Sequence, residues 1–178
     1  MLTYQEITTR LNNSTVTVLK GEKYGHPFSR TACGESIEFY FRLSDDWMGL
    51  YNYSDNSTHK ICGISDLLGL YSVRVGIRRK QVEANSFALV AYTHNFGKTA
   101  YPRMCNIKTG EIYYCKIYKN SMGLYSIDVY LVLADRNILL TSYPTIVSKI
   151  VFPRLSGTYV EFGSKASPLD LKTQLFVV

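Results

Sequence analysis

Lys60-Ile-Cys-Gly-Ile-Ser-Asp-Leu-Leu-Gly-Leu-Tyr-Ser-Val-Arg-Val-Gly-Ile-Arg-Arg-Lys80 is the stretch that decides the fold. From Tyr71 the residues alternate: Tyr71, Val73, Val75 and Ile77 fall on one side of an extended chain, and Ser72, Arg74, Gly76 and Arg78 on the other. One side is dry and the other cationic, which predicts a strand with one face on a core and one face outward.

Outward from that strand the same period of two recurs. Ile37, Phe39, Phe41 and Leu43 face in while Glu38, Tyr40 and Arg42 face out. Further strands are expected at Thr15–Lys20, Trp47–Tyr53, Phe87–Thr93, Ile112–Tyr118, Tyr125–Leu133, Ile138–Ser142, Ile146–Phe152, Thr158–Phe162 and Leu171–Val178. Lys108-Thr109-Gly110 and Asp135-Arg136-Asn137 read as turns between apolar strands. Thr99-Ala-Tyr-Pro102 and Thr141-Ser-Tyr-Pro144 look alike, but their flanks do not match, so they read as similar turn chemistry and not as a repeat. The one helix signal is at the N-terminus. Thr3 with Glu6 three residues later forms a capping box ahead of the Ile7 and Leu11 stripe, and the helix stops at Asn12-Asn13. These patterns predict an all-β antiparallel sandwich of the jelly-roll kind over 14–178, preceded by a short helical segment over 1–13.

Composition agrees with that class. The chain has 178 residues with an apolar fraction of 46%, enough to bury a core without disulfide staples. Tyrosine is the outlier at 15 copies, and it favours strands and surfaces that are half apolar and half wet. The net charge of +6 suits contact with phosphate or an acidic glycan, although the basic residues are scattered along the chain. No basic leader followed by an apolar core opens the sequence, and no apolar run has the length of a membrane span, so no signal peptide and no membrane partner are expected.

Cys33, Cys62, Cys105 and Cys115 show no C-x-x-C spacing, and His26, His59 and His94 lie far apart, so neither a metal nor another cofactor is expected. Cys105 and Cys115 flank the expected Lys108 to Gly110 hairpin and are placed to pair across it under oxidising conditions; buried thiols are the simpler expectation.

Three sets of residues have the makings of a site. Trp47, Tyr51 and Tyr53 with Asp45 and Asp55 combine flat rings, suited to the apolar face of a sugar, with oxygens for its hydroxyls or a calcium ion; the alternative is that Trp47 anchors the core and the acids form turns. Arg74, Arg78 and Lys80 share one face of one strand and suit an anion, as any solvated cationic face would. His26, His94, Lys98 and Tyr143 show a weak similarity to the His, His, Lys and Ser/Thr-x-Tyr set of uridylate-specific endoribonucleases, in which the histidines act as acid and base. Asp128 lies between Ile127 and Val129, where an inward carboxylate would need a partner and an outward one would need none.

Lys60-Ile-Cys-Gly-Ile-Ser-Asp66, Ser72-Val-Arg-Val-Gly-Ile-Arg78, Ala91-Tyr92 and Gly110-Glu-Ile-Tyr-Tyr-Cys-Lys-Ile117 resemble a family of small β-sandwich proteins of Bacteroides-group gut bacteria and their tailed phages. Gly157-Thr-Tyr-Val-Glu-Phe-Gly163 with Ala166, Pro168 and Asp170 fits its C-terminal pattern, so the resemblance runs from Ser44 to Val178. It implies a jelly roll similar to concanavalin-type lectins, which hold glycans or serve as virion surface modules, and it implies no catalysis. Where that family carries a histidine cluster this chain has Leu68-Gly69-Leu70-Tyr71, and Ile77 replaces its aromatic. Any ligand role of those histidines is therefore not expected here. The expected function is a non-enzymatic structural or surface-attachment module of a tailed phage, assembled in the host cytoplasm into the virion. Homo-oligomers and other virion or surface proteins are the expected partners, joined by tyrosine-rich contacts. A glycan-binding module and the endoribonuclease are the alternatives.

Overall fold

The structure, a computed structural model, describes residues 2–23, 34–52, 58–66, 68, 70–79, 86–151, 153–156 and 166–178. His26, Cys33, Tyr53, Asp55, Lys80 and the expected strand at Thr158–Phe162 lie outside them.

The chain opens with α1 (Tyr4–Asn12) and β1 (Thr15–Val18), then β2 (Ser36–Leu43) and a 3-10 helix (Asp45–Asn52). It continues through β3 (His59–Ser65), β4 (Tyr71–Arg79), β5 (Ser86–Asn95), β6 (Lys98–Ala100), β7 (Arg103–Lys108), β8 (Ile112–Lys119) and β9 (Tyr125–Val132). β10 (Asn137–Pro144), β11 (Arg154–Ser156) and β12 (Leu171–Val177) complete it. Sheet I runs β1-β12-β2-β8-β9-β10 and sheet II runs β11-β3-β4-β5-β6, with β7 also on β5. Every pairing is antiparallel. The two sheets bury a shared core in which Phe39, Phe41, Cys115, Ile127 and Leu175 of sheet I meet Val73, Val75, Ile77, Leu89 and Ala91 of sheet II. The all-β sandwich is thus as the period-two pattern predicts.

α1 forms as its cap dictates: Glu6 N–H donates to Thr3 Oγ1 at 3.3 Å and Thr3 N–H donates back to Glu6 Oε2 at 2.7 Å. Its Ile7 and Leu11 do not enter the main core. They lie on the outer face of sheet I, over Tyr40, Ile112, Val132 and Phe176. An aromatic row crosses that face in register, Phe176 to Tyr40 to Tyr114 to Tyr130, with ring centres 5.1, 4.9 and 5.5 Å apart, and continues to Leu139 on β10. The next row is polar: Glu38, Lys116, Asp128 and Ser142, with a 2.9 Å ion pair between the first two. Asp128 points outward, the second of the two cases, and there it accepts a bond from Ser142 Oγ at 2.5 Å.

Three expectations are corrected. Trp47–Tyr53 is not a strand: Trp47 and Leu50, three residues apart, are both buried, which is the 3-10 period. Trp47 N–H donates to Ser44 C=O, and a side chain on Gly49 would collide with Leu169, so the turn sits flush against the sandwich. Lys108 to Gly110 is not a hairpin turn, because β7 belongs to sheet II and β8 to sheet I. Gly110, at φ 78°, donates to Leu43 C=O and carries the chain from one sheet to the other, leaving Cys105 and Cys115 as thiols on opposite layers. Ile146–Phe152 is not a strand among its described residues. After β10 the chain stays on Tyr125 through Thr145 N–H to Tyr125 C=O and Tyr125 N–H to Val147 C=O, then leaves the sheet.

Candidate functional site

Sheet II separates charge sharply. The basic residues of β3 to β7 are Lys60, Arg74, Arg78, Arg79, Lys98, Arg103 and Lys108, and these strands contain no Asp or Glu. Sheet I mixes both signs, with Glu38 and Asp128 among its lysines and arginines. One sign concentrated on one layer makes a local positive potential that the modest net charge does not reveal.

Register places the outward members of this set. Gly76 pairs with Lys60 on β3 and with Val90 on β5, and Val90 pairs with Arg103 on β7, so one row reads Lys60, Gly76, Val90, Arg103 across four strands. Arg74 sits beside Gly63 and Tyr92 one row away, and Arg78 beside Ala88 on the other side. Arg74 and Arg78 are four residues apart on one strand, about 14 Å. The result is four cations on one outer face around Gly76, Ala88 and Val90, which are themselves buried. Thr58 covers Gly76: a Cβ there would lie 2.7 Å from Thr58 Cγ2 and 3.2 Å from Val90 Cγ2. One end of this face opens into a groove of about 610 Å³ walled by Arg78, Arg79, Tyr101 and Arg103 and floored by Ala88, Val90, Thr99 and Pro102.

Local contacts set the directions of these cations. Lys60 Nζ lies 4.8 Å above the Tyr92 ring and the Arg78 guanidinium 4.6 Å above the Tyr101 ring. Arg103 Nη2 donates to Asn106 Oδ1. Lys60, Arg74, Arg78 and His94 each also engage a partner within the chain. The Arg79 guanidinium lies 5.3 Å from the Tyr51 ring. Tyr101 remains half-exposed at the groove mouth.

The other expected sites fare differently. Trp47 has no exposed surface: its ring meets His59 and Phe87 edge-on, and its indole N–H donates to Lys172 C=O at 3.0 Å. No sugar ring can stack on it, and of its proposed companions Asp45 is exposed on the 3-10 helix while the Tyr51 hydroxyl is engaged with Ser86. The core-anchor alternative describes Trp47. Of the endoribonuclease set, His94 is on β5 of sheet II, Lys98 on β6, and Tyr143 on β10 of sheet I, packed against the core. The structure does not bring Tyr143 to the face that carries His94. Among the described residues no three His, Cys, Asp or Glu side chains form a group that could hold a metal ion, and no helix is long and apolar enough to cross a membrane.

A second concavity of about 670 Å³ lies on sheet I, between the first turn of α1 and the β9–β10 turn, with Tyr4, Tyr114, Tyr130, Lys116 and Arg136 among its walls. Its charges are mixed, and Lys116 is already committed to Glu38.

No family model matches the chain, and no curated protein sequence matches it. Several solved structures share its β-rich architecture at low identity. A protein of unknown function from Shewanella oneidensis is 12% identical with a TM-score of 0.44, over 88% of this chain but 57% of the other. An alginate lyase, solved as a mutant in complex with an alginate tetrasaccharide, is 14% identical with a TM-score of 0.45, over 92% of this chain and 78% of the lyase. A tailspike protein of an Escherichia coli O157:H7 bacteriophage is 12% identical with a TM-score of 0.43, and this chain spans 23% of it. Likeness at this level carries no argument about activity, ligand or partner. The class that fold and site define is an antiparallel β-sandwich with one cationic outer face.

Proposed function

We propose that this sandwich is a non-catalytic attachment module that binds an acidic polysaccharide on the outer face of sheet II. The observation that carries the reading is the gathering of Lys60, Arg74, Arg78 and Arg103 on one outer face by the register of β3, β4, β5 and β7. The carboxylate or sulfate of such a polymer would meet guanidinium groups that bind oxyanions with two parallel hydrogen bonds. Tyr101, half-exposed beside Arg78, supplies a ring on which the apolar face of a pyranose can stack. The separation of His94 on sheet II from Tyr143 on sheet I speaks against the endoribonuclease alternative.

The placement in a tailed-phage particle, as a structural or surface component, is supported by the sequence resemblance over Ser44 to Val178. Mass spectrometry of purified particles tests it. Peptides of this chain at a fixed stoichiometry support it, and their absence from intact particles removes it.

Isothermal titration with alginate, with a neutral glucan and with single-stranded DNA tests the binding reading. Salt-sensitive binding of alginate, lost together in Arg78→Ala and Arg103→Ala and absent for the glucan, is the expected result. Tighter binding of DNA would mark the face as a nucleic-acid surface, and shortening of the alginate during incubation would make the protein an enzyme.

A further inference from the structure

Sheet I ends on an open strand. β10 is the last in its order and pairs only with β9 among the described residues. From Asn137 to Val147 the sequence Asn-Ile-Leu-Leu-Thr-Ser-Tyr-Pro-Thr-Ile-Val contains no charge. Ile138, Leu139 and Leu140 in succession are 37%, 52% and 37% exposed, and Ile146 is 65% exposed. Leu139 pairs with Tyr130 on the outer face and Ile138 with Leu131 on the core side, and a bulge follows between Leu139 and Thr141, so aliphatic surface is exposed on both sides of this edge.

Exposed edges in monomeric proteins are kept short or marked with charge, because a bare row of N–H and C=O groups accepts any extended chain. The other edges here follow that rule. β1 has four residues, β11 three, and the edge formed by β6 and β7 carries Lys98, Arg103 and Lys108. β10 spans eight residues, about 27 Å at 3.4 Å each, with no charge and no further strand beside it among the described residues; its bulge and its terminal Pro144 are the devices it does carry. Its outer side also receives the end of the aromatic row, where Leu139 is left half-exposed beyond Tyr130.

Backbone donors and acceptors in a row call for another strand. We propose that the strand is β10 of a second copy of this chain, joined antiparallel about a two-fold axis so that the two six-stranded sheets become one. Antiparallel pairing continues the pattern of every other neighbour in the sheet. An uncharged strand meets itself without like charges opposing, which a two-fold axis requires of any surface that contacts its own copy. The join covers Leu139 of each copy with the other's edge and extends the apolar row across the axis. It also carries two cationic faces in one particle, which raises avidity for a repeating polymer without any new contact. The dimer does not depend on what those faces bind.

Light scattering after size exclusion, over roughly 1 to 100 µM, tests this on the full chain. The wild type is expected to be a dimer, and Leu140→Lys, which places a charge against its own copy, is expected to weaken it at least tenfold while leaving the circular dichroism spectrum and melting behaviour of the monomer intact. Leu140→Cys gives an independent reading: oxidation is expected to link two copies near the axis. A wild type monomeric throughout, or a dimer indifferent to Leu140→Lys and not linked through Leu140→Cys, would overturn the proposal.

Discussion

The indole N–H of Trp47 donates to the carbonyl of Lys172 at 3.0 Å, and the same carbonyl accepts from Ser44 Oγ at 2.8 Å and Ser44 N–H at 3.2 Å. One backbone oxygen of β12 thus ties down the whole 3-10 helix between the two sheets. Trp47→Ala empties a fully buried site and is expected to cost about 3–5 kcal/mol, against a smaller loss for Trp47→Phe, which keeps most of the packing and drops the bond. Urea melts of both variants check this. If Trp47→Ala melts like the wild type, the buried placement is wrong.

Thr173 is fully buried among core residues, opposite Val16 and Leu43, and its hydroxyl has no hydrogen-bond partner among the described residues. Removing an unmatched polar group while keeping the shape relieves its desolvation penalty. Thr173→Val is expected to stabilise the protein by about 1 kcal/mol, a rise in melting temperature of about 3 °C. A fall would mean that the hydroxyl is satisfied.

Glu38 is held below its usual carboxylate value by hydrogen bonds from Lys116 and Tyr114, and Lys116 is held above its usual value by Glu38. A carboxyl lowered by folding stabilises the protein above its unfolded value, near 4.5, and that contribution is lost as pH falls through the lower folded value. Lys116 acts at the other end: its share is present below about 10.5 and is lost as pH rises through the raised folded value. The pair is 40% and 36% exposed, so solvent screening holds its worth below about 1 kcal/mol. Urea midpoints of wild type and Glu38→Gln are expected to differ at pH 6 and to converge toward pH 3. A constant gap would show that the charge plays no part.

Burial pushes the Cys105 thiol up to about 11 and that of Cys115, deeper in the core, well above its usual value. At pH 8 about one Cys105 thiol in a thousand is then ionised. Peptide mapping after iodoacetamide at pH 8 is expected to find Cys105 modified slowly and Cys115 only in denaturant. Rapid labelling of Cys115 in the folded protein would contradict its place in the core.

How far the sequence could be read follows from how regularly each strand is buried. β2, β4, β8 and β9 have one dry side and one wet or aromatic side, and their alternation shows it. β3 escapes that reading because a bulge puts Ile61 and Cys62 both in the core and breaks the period. β7 escapes because, of its residues, only Ile107 is fully buried. Trp47, Tyr51 and Tyr53 fall on odd positions and imitate a strand, whereas the structural period is the three of Trp47 and Leu50. Half of the cationic ring was legible, since Arg74 and Arg78 belong to one strand. Lys60 and Arg103 join it only through register across β3, β4, β5 and β7, which no single strand encodes. Lys80, the third member of the expected set, lies outside the described residues.

The central claim is that the four cations around Gly76, Ala88 and Val90 bind an acidic polysaccharide. Titration of alginate into wild type and Arg78→Ala/Arg103→Ala at 50 and 300 mM salt tests it directly. Binding that weakens with salt in the wild type, and is at least tenfold weaker in the double variant with an unchanged melting temperature, is the predicted result. Equal binding by both proteins, or none by either at 50 mM salt, would contradict it.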